Sequence, residues 1–175
     1  ENIMNLIMSD CPLSFSPSFS SGQNTVIDLS ALNISPCLGC FGCWVKTPGK
    51  CVIPDDAHKV YPLIAKSENV IYVTRLFHGS YSPIMKRMLE RAIPIQQAFL
   101  HLYRGEVHHV PRNVVPKKAV IIAYGCDDVE EQELFRKLTE RNAFNMLFTE
   151  CKVLFPSKEE LEHSIESEVS RWTNS

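Results

Sequence analysis

Two short apolar runs, Val70 to Thr74 (VIYVT) and Ala119 to Tyr124 (AVIIAY), constrain the fold more than anything else in the chain. Each is rich in β-branched residues and too short for a helix. Neither has the polar alternation that would leave one face in water, so both read as strands buried on two sides. Fainter runs at Ile3 to Met8, Thr25 to Leu29 and Cys151 to Phe155 bring the expected count to five. Helical patterns separate most of them, and that alternation predicts a doubly wound α/β sheet of parallel strands.

Capping residues mark the helices. Asp55 or Asp56 caps a helix whose stripe is Ala57, Val60, Tyr61, Ile64 and Ala65, and Pro62 is expected to kink it or delay its start. Ser82 and Pro83 open the next helix, Ile84, Met85, Met88, Leu89 and Ala92 form its apolar face, and Pro94 closes it. Asp127 and Asp128 precede an acidic first turn of Glu130, Glu131 and Glu133, which suits the positive end of a helix dipole. Ser157 and Glu160 form a capping box ahead of Leu161, Ile165, Val169 and Trp172. The connection from Ser9 to Asn24 (SDCPLSFSPSFSSGQN) has two prolines and no helical period, so the first crossover helix is expected to be shortened or missing. Its loss uncovers one face of the sheet, which a partner subunit or the C-terminal helix must then cover.

The simplest arrangement is the flavodoxin-like order 2-1-3-4-5, in which ligands bind at the carboxyl ends of the strands. Three loops open there: the cysteine run after the second strand, RLFHGSYS after Thr74, and GCDD after Tyr124. Their convergence makes the default site. The 175 residues fit a single domain, residues 1–175. A net charge of −2 with scattered lysines and arginines argues against nucleic acid as a partner. No apolar run approaches the roughly 18 residues of a membrane span, and nothing at the start resembles a secretory leader. A cytoplasmic location is expected, where the seven cysteines would stay thiols. P-loop, zinc-protease and nucleophile-elbow motifs are absent, and the paired carboxylates are helix caps first.

Cys37, Cys40, Cys43 and Cys51 lie in PCLGCFGCWVKTPGKC at the spacing C-x2-C-x2-C-x7-C. Three thiolates at that spacing, with the fourth returning after the Pro48-Gly49 turn, suit an iron-sulfur cluster. Small thiols buried beside Trp44 would equally suit a purely structural loop. Structural zinc fits less well, because its ligand pairs are usually held a dozen or so residues apart.

The segments PCLGCFGCW, TPGKC with the acidic pair that follows, HGSYSPIMKR, LERAIP and GEVHHVPR together resemble the NAD(P)H-dependent FMN reductase and iron-sulfur flavoprotein family, from about Asp28 to Tyr124. The resemblance implies non-covalent FMN, reduction by NADH or NADPH, a small-molecule electron acceptor, and a homodimer or homotetramer. It implies a flavin ring lying against Thr74, Arg75, Leu76, Phe77, His78, Gly79 and Ser80, with Phe77 stacked on it and Gly79 allowing close approach, and with Gly125 and Cys126 at the other edge. Arg75 stands where the family usually has proline, and Glu90 where it commonly has aspartate. The family holds the phosphate on a Ser/Thr-rich loop leading into a helix. Here Ser14, Ser16 and Ser18, with Ser20, supply hydroxyls without the helix, and a serine-rich linker is the equal alternative. His108, His109 and Arg112 sit in the long stretch Ile95 to Lys118, which the resemblance makes a lid or an interface segment. Only the iron-sulfur branch makes ligands of Cys37, Cys40, Cys43 and Cys51.

The expected function is therefore an FMN-dependent NAD(P)H oxidoreductase whose chemistry belongs to the flavin, with no catalytic side chain. One alternative is an iron-sulfur flavoprotein exchanging electrons with a redox partner protein. The other is a relative that has lost FMN and acts in binding or assembly.

Overall fold

A computed structural model describes residues 4–20 and 22–174. In chain order its elements are β1 (Asn5–Ser9), β2 (Asn24–Asp28), α1 (Gly42–Val45), α2 (Ala57–Lys66), β3 (Asn69–Arg75), α3 (Pro83–Glu90), β4 (Gln96–Tyr103), β5 (Glu106–Pro111), β6 (Lys117–Tyr124), α4 (Val129–Asn145), β7 (Phe148–Leu154) and α5 (Leu161–Thr173). Five strands pair in the order β2-β1-β3-β6-β7, all parallel. This is the expected doubly wound order 2-1-3-4-5. Ile3, expected in the first strand, lies outside the described residues. Register at the amino edge is set by three asparagines in line. Asn5 pairs with Asn24 and Asn69, its side-chain amide donates to Asn24 Oδ1 at 2.8 Å, and Asn69 donates to Asn5 Oδ1 at 2.8 Å.

The period of two sends alternate strand residues to two separate cores. Leu6, Met8, Val70, Tyr72, Ala119 and Ile121 pack under α2, α3 and α4 through Ile64, Met88 and Phe135. Ile7, Ile71, Val73, Val120 and Ile122 face α5, which contributes Leu161, Ile165 and Val169. Among the described residues the first crossover has no helix. Leu13, Phe15 and Phe19 from that connection lie on the second core instead, with the two phenylalanine rings stacked at 4.3 Å. The C-terminal helix, together with this irregular connection, thus covers the face that a missing helix would expose.

Two local expectations change. Pro62 sits inside a continuous α2. At the sixth position it removes only the bond to the His58 carbonyl, and the buried stripe Val60, Tyr61, Ile64 and Ala65 holds the turn. The stretch from Ile95 to Lys118 is not a plain loop, because β4 and β5 form an antiparallel hairpin turned at Arg104 and Gly105, both with positive φ. Trp44 anchors the hairpin to the cysteine loop by donating from Nε1 to the Gln96 carbonyl at 3.0 Å and packing on His109 at 4.7 Å.

Candidate functional site

The loops after β1, β3 and β6 meet at the carboxyl edge of the sheet, and the groups between them are bonded to one another. Asp10, the first residue past β1, is buried. Its Oδ2 accepts the Arg75 amide at 2.7 Å and the Thr74 hydroxyl at 3.4 Å, and its Oδ1 accepts the Tyr124 hydroxyl at 2.9 Å. Burial, with Cys11 and the Asp10 carboxylate beside it, raises the Tyr124 phenol well above its ordinary range, so it stays a donor. Thr74 oxygen also accepts the Ser82 amide at 2.9 Å, tying the strand end to the cap of α3.

Leu76 continues from β3 with its amide on the Tyr124 carbonyl at 2.8 Å. Phe77 to Ser80 then close a two-residue turn through reciprocal backbone bonds of 2.9 and 3.1 Å, with His78 and Gly79 both left-handed. Phe77 is 45% exposed, and its ring meets His78 edge to face at 4.6 Å. The turn leans on α4, where the Gly79 amide donates to Glu131 Oε2 at 3.2 Å. A Cβ at Gly79 would meet Leu134 Cδ2 at 2.5 Å, so contact with α4 and a φ of +68° already require glycine. Cys126 Sγ lies 3.6 Å from the same Glu131 oxygen, and Gly125 packs against the Arg75 side chain. Thr74 to Ser80 and Gly125 to Cys126 are thus brought to one edge, as one cluster.

The serines are not in that cluster. The Ser14 amide donates to Glu162 Oε1 at 3.2 Å at the start of α5. Ser16 and Ser18 share a hydroxyl contact of 2.9 Å and line a depression beside Glu166, Ser170 and Thr173, far along α5.

In the cysteine loop, Cys37 and Cys40 are exposed, Cys43 is buried and Cys51 half-buried. Burial pushes the Cys43 thiol up, and the neighbouring thiols add to it. Among the described residues no three Cys, His, Asp or Glu side chains are grouped closely enough to hold a metal ion. Cys51 Sγ instead takes a contact of 3.3 Å from Arg91. Arg91 is fully buried and binds Asp55 in two-pronged fashion at 2.6 and 2.9 Å, with a third bond to the Ser35 carbonyl at 2.7 Å. Arg91 therefore fastens both ends of the cysteine loop to α3. The neighbouring Glu90, where the family commonly has aspartate, is exposed. Nothing local in the sequence marks Asp10, because its partners Thr74, Arg75 and Tyr124 lie 64, 65 and 114 residues away.

A cavity of about 400 Å³ begins at Ser80 and Tyr81 and runs between α3, the C-terminal half of α4 and the hairpin. Leu89, Ile93, Leu138, Phe144 and Met146 make it mainly apolar, and His101, His108 and His109 reach it from the hairpin.

A parallel sheet in this order, with its loops gathered over the carboxyl ends, defines a flavodoxin-like α/β protein. Residues 20–144 match the NADPH-dependent FMN reductase family, and the chain belongs to it. An iron-sulfur flavoprotein of Archaeoglobus fulgidus is 27% identical over 101 residues, 58% of this chain and 45% of that protein, so the match spans under half of that relative's length. Among solved structures, Smu.1420 from Streptococcus mutans UA159 aligns with a TM-score of 0.62 at 15% identity over 98% of both chains. An FMN-dependent NADH-azoreductase from Bacillus anthracis, in complex with FMN, aligns at 0.60 and 13% over 97% of this chain and 99% of that one. The NAD(P)H:quinone oxidoreductase from Methanothermobacter marburgensis aligns at 0.58 and 11% over 90% and 87%. At these identities the likeness is one of fold.

Against the flavin that this family uses, the two halves of the edge differ. An exposed aromatic on a tight, left-handed turn with backbone polar groups suits a flat heteroaromatic ring. Among its described residues the connection after β1 has no helix N-terminus, and its sequence has no lysine or arginine for a phosphate.

Proposed function

We propose that the chain works as one flavodoxin-like domain, an FMN-dependent NAD(P)H oxidoreductase acting on a small-molecule acceptor. The family match over residues 20–144, which contains the whole β3–α3 turn and the β6–α4 loop, carries the reading. Bound flavin supplies the electron transfer, and the chain positions the ring and controls access to it. Phe77 stacks on the ring, the backbone from Thr74 to Ser80 borders one edge, and Gly125 and Cys126 border the other. The Arg75 guanidinium, lying against Gly125, favours extra negative charge on a ring held there. The apolar cavity that starts at Ser80 and Tyr81 gives an uncharged aromatic acceptor a place beside that edge.

Exposed Phe99, Leu100, Leu102 and Val107 on the hairpin support assembly as a homo-oligomer. Seven free cysteines suit a reducing cytoplasm. No helix among the described residues is long and apolar enough to cross a membrane.

Protein purified without oxygen and mixed with FMN is expected to show a flavin spectrum that NADPH or NADH bleaches. A protein that ignores added flavin would overturn the reading. Brown absorbance with stoichiometric iron and sulfide would instead favour the electron carrier, with Cys37, Cys40, Cys43 and Cys51 as its ligands.

A further inference from the structure

In this fold class a ligand phosphate is received at the first βα turn, where free amides and a helix N-terminus face it. Here, among the described residues, no helix follows β1, and five of the connection's backbone amides are already committed. The Asp10 amide goes to the Val73 carbonyl at 3.1 Å, Cys11 to Ser9 Oγ at 3.2 Å, and Ser14 to Glu162 at 3.2 Å. Phe19 and Ser20 both donate to the Ser16 carbonyl, at 3.0 and 3.2 Å, and Pro12 and Pro17 have no amide hydrogen. The first lysine or arginine of the chain is Lys46, so neither β1, β2 nor their connection carries a basic side chain. Arg75 turns the other way, onto Gly125 beyond β6.

What the turn does carry is negative charge. Asp10 collects the Arg75 amide, the Thr74 hydroxyl and the Tyr124 hydroxyl, the donors that converge from β3 and β6. Glu162 and Glu166 flank the rest of the connection. A phosphate near −2 at neutral pH would approach carboxylates with no compensating cation.

We infer that this site recognises a flavin by its ring and gains nothing from the 5′-phosphate, so that riboflavin binds at least as well as FMN. The inference rests on the flavin reading above and sharpens it: the ligand class is the isoalloxazine, and the phosphate stays in solvent. The Asp10 carboxylate fills the place at the strand ends where an anion would otherwise be received.

The test is a pair of fluorescence-quenching titrations, FMN and riboflavin, against the whole chain at low and high salt, repeated on Asp10→Asn. Asparagine keeps an acceptor for the Arg75 amide and removes the charge. The expected result is FMN binding no more than about fivefold tighter than riboflavin in the native protein. FMN affinity should rise with salt as repulsion is screened while riboflavin affinity stays flat, and Asp10→Asn should move the ratio several-fold toward FMN. FMN favoured by more than about fivefold, with affinity falling as salt rises, would overturn the inference and leave the oxidoreductase reading standing. Failure of both flavins to bind the native chain would overturn that reading and the inference with it.

Discussion

Replacing Arg91 should destabilise this protein more than any surface substitution, because it strands a buried carboxylate. The Arg91 side chain is 0% exposed and that of Asp55 4%, with their closest approach at 2.6 Å. Burial alone would raise the Asp55 carboxyl, yet the Arg91 bonds and the Ser35 and Ala57 amides outweigh it and hold the group at about 2, against an ordinary 3.8. The difference corresponds to about 2 kcal/mol of stability. Its sign follows from the lowered value: the contribution is complete above pH 4 or so and is lost as the pH falls through about 2. Arg91→Met keeps most of the volume but leaves Asp55 unpaired, which costs about 3–5 kcal/mol. Adding Asp55→Asn should recover part of the loss, since it removes the stranded charge while the one amide oxygen still accepts from either the Ser35 or the Ala57 amide. Urea unfolding at pH 7 and along an acid series measures both effects. A loss under about 1 kcal/mol in Arg91→Met, with the acid slope intact, would refute the claim that this pair fastens the cysteine loop.

Lys117 makes the opposite case. Burial pushes it down to about 8 from 10.5, and its Nζ donates to the Val115 carbonyl. Between those values the unfolded chain binds the extra proton, so stability should climb with pH across that window by up to about 3 kcal/mol. Lys117→Met should abolish the climb and raise stability at pH 7 by about 1–3 kcal/mol, read from thermal melts between pH 7 and 10; an unchanged slope would assign it elsewhere. Gly79→Ala meets both a φ of +68° and Leu134 Cδ2 at 2.5 Å, and should cost about 1–3 kcal/mol. Leu134→Ala in the same chain should relieve only the steric part, so equal losses in Gly79→Ala with and without it would show the conformation alone at fault.

The sheet was legible because its signals are local. VIYVT, AVIIAY and four capping patterns each declare an element within a dozen residues. The hairpin escaped because its period of two is broken. A register shift between Gln96 and Leu100 leaves adjacent Phe99 and Leu100 both exposed, which blurs the alternation that marks a strand. The Arg104-Gly105 pair, with both residues at positive φ, was the missed turn signal. Arg91 escaped for a different reason. An arginine at a helix end reads as solvated, and only Asp55, 36 residues upstream, makes it a buried hub. Gly79 is expected from the resemblance to lie close to a ring; its backbone angle and its contact with α4 are by themselves enough to require glycine there.

Losing the first crossover helix sets a parallel sheet two problems, and one short connection meets both. An uncovered face would expose Ile7, Ile71 and Val120, and Leu13, Phe15 and Phe19 shield it together with α5. The missing helix N-terminus also removes the positive end that usually receives an anion, while the Arg75 amide and the Tyr124 hydroxyl at the strand ends still need an acceptor. Asp10 is that acceptor. The ring turn rests on separate supports, the reciprocal Phe77–Ser80 bonds and the Glu131 and Leu134 contacts on α4. It touches Asp10 only through the Arg75 amide and Thr74. Neutralising Asp10 should therefore change what the site does with a phosphate while leaving its grip on the ring alone. Riboflavin affinity in Asp10→Asn should stay within about twofold of the native value, and a tenfold fall would mean that the two halves of the edge are one cooperative site.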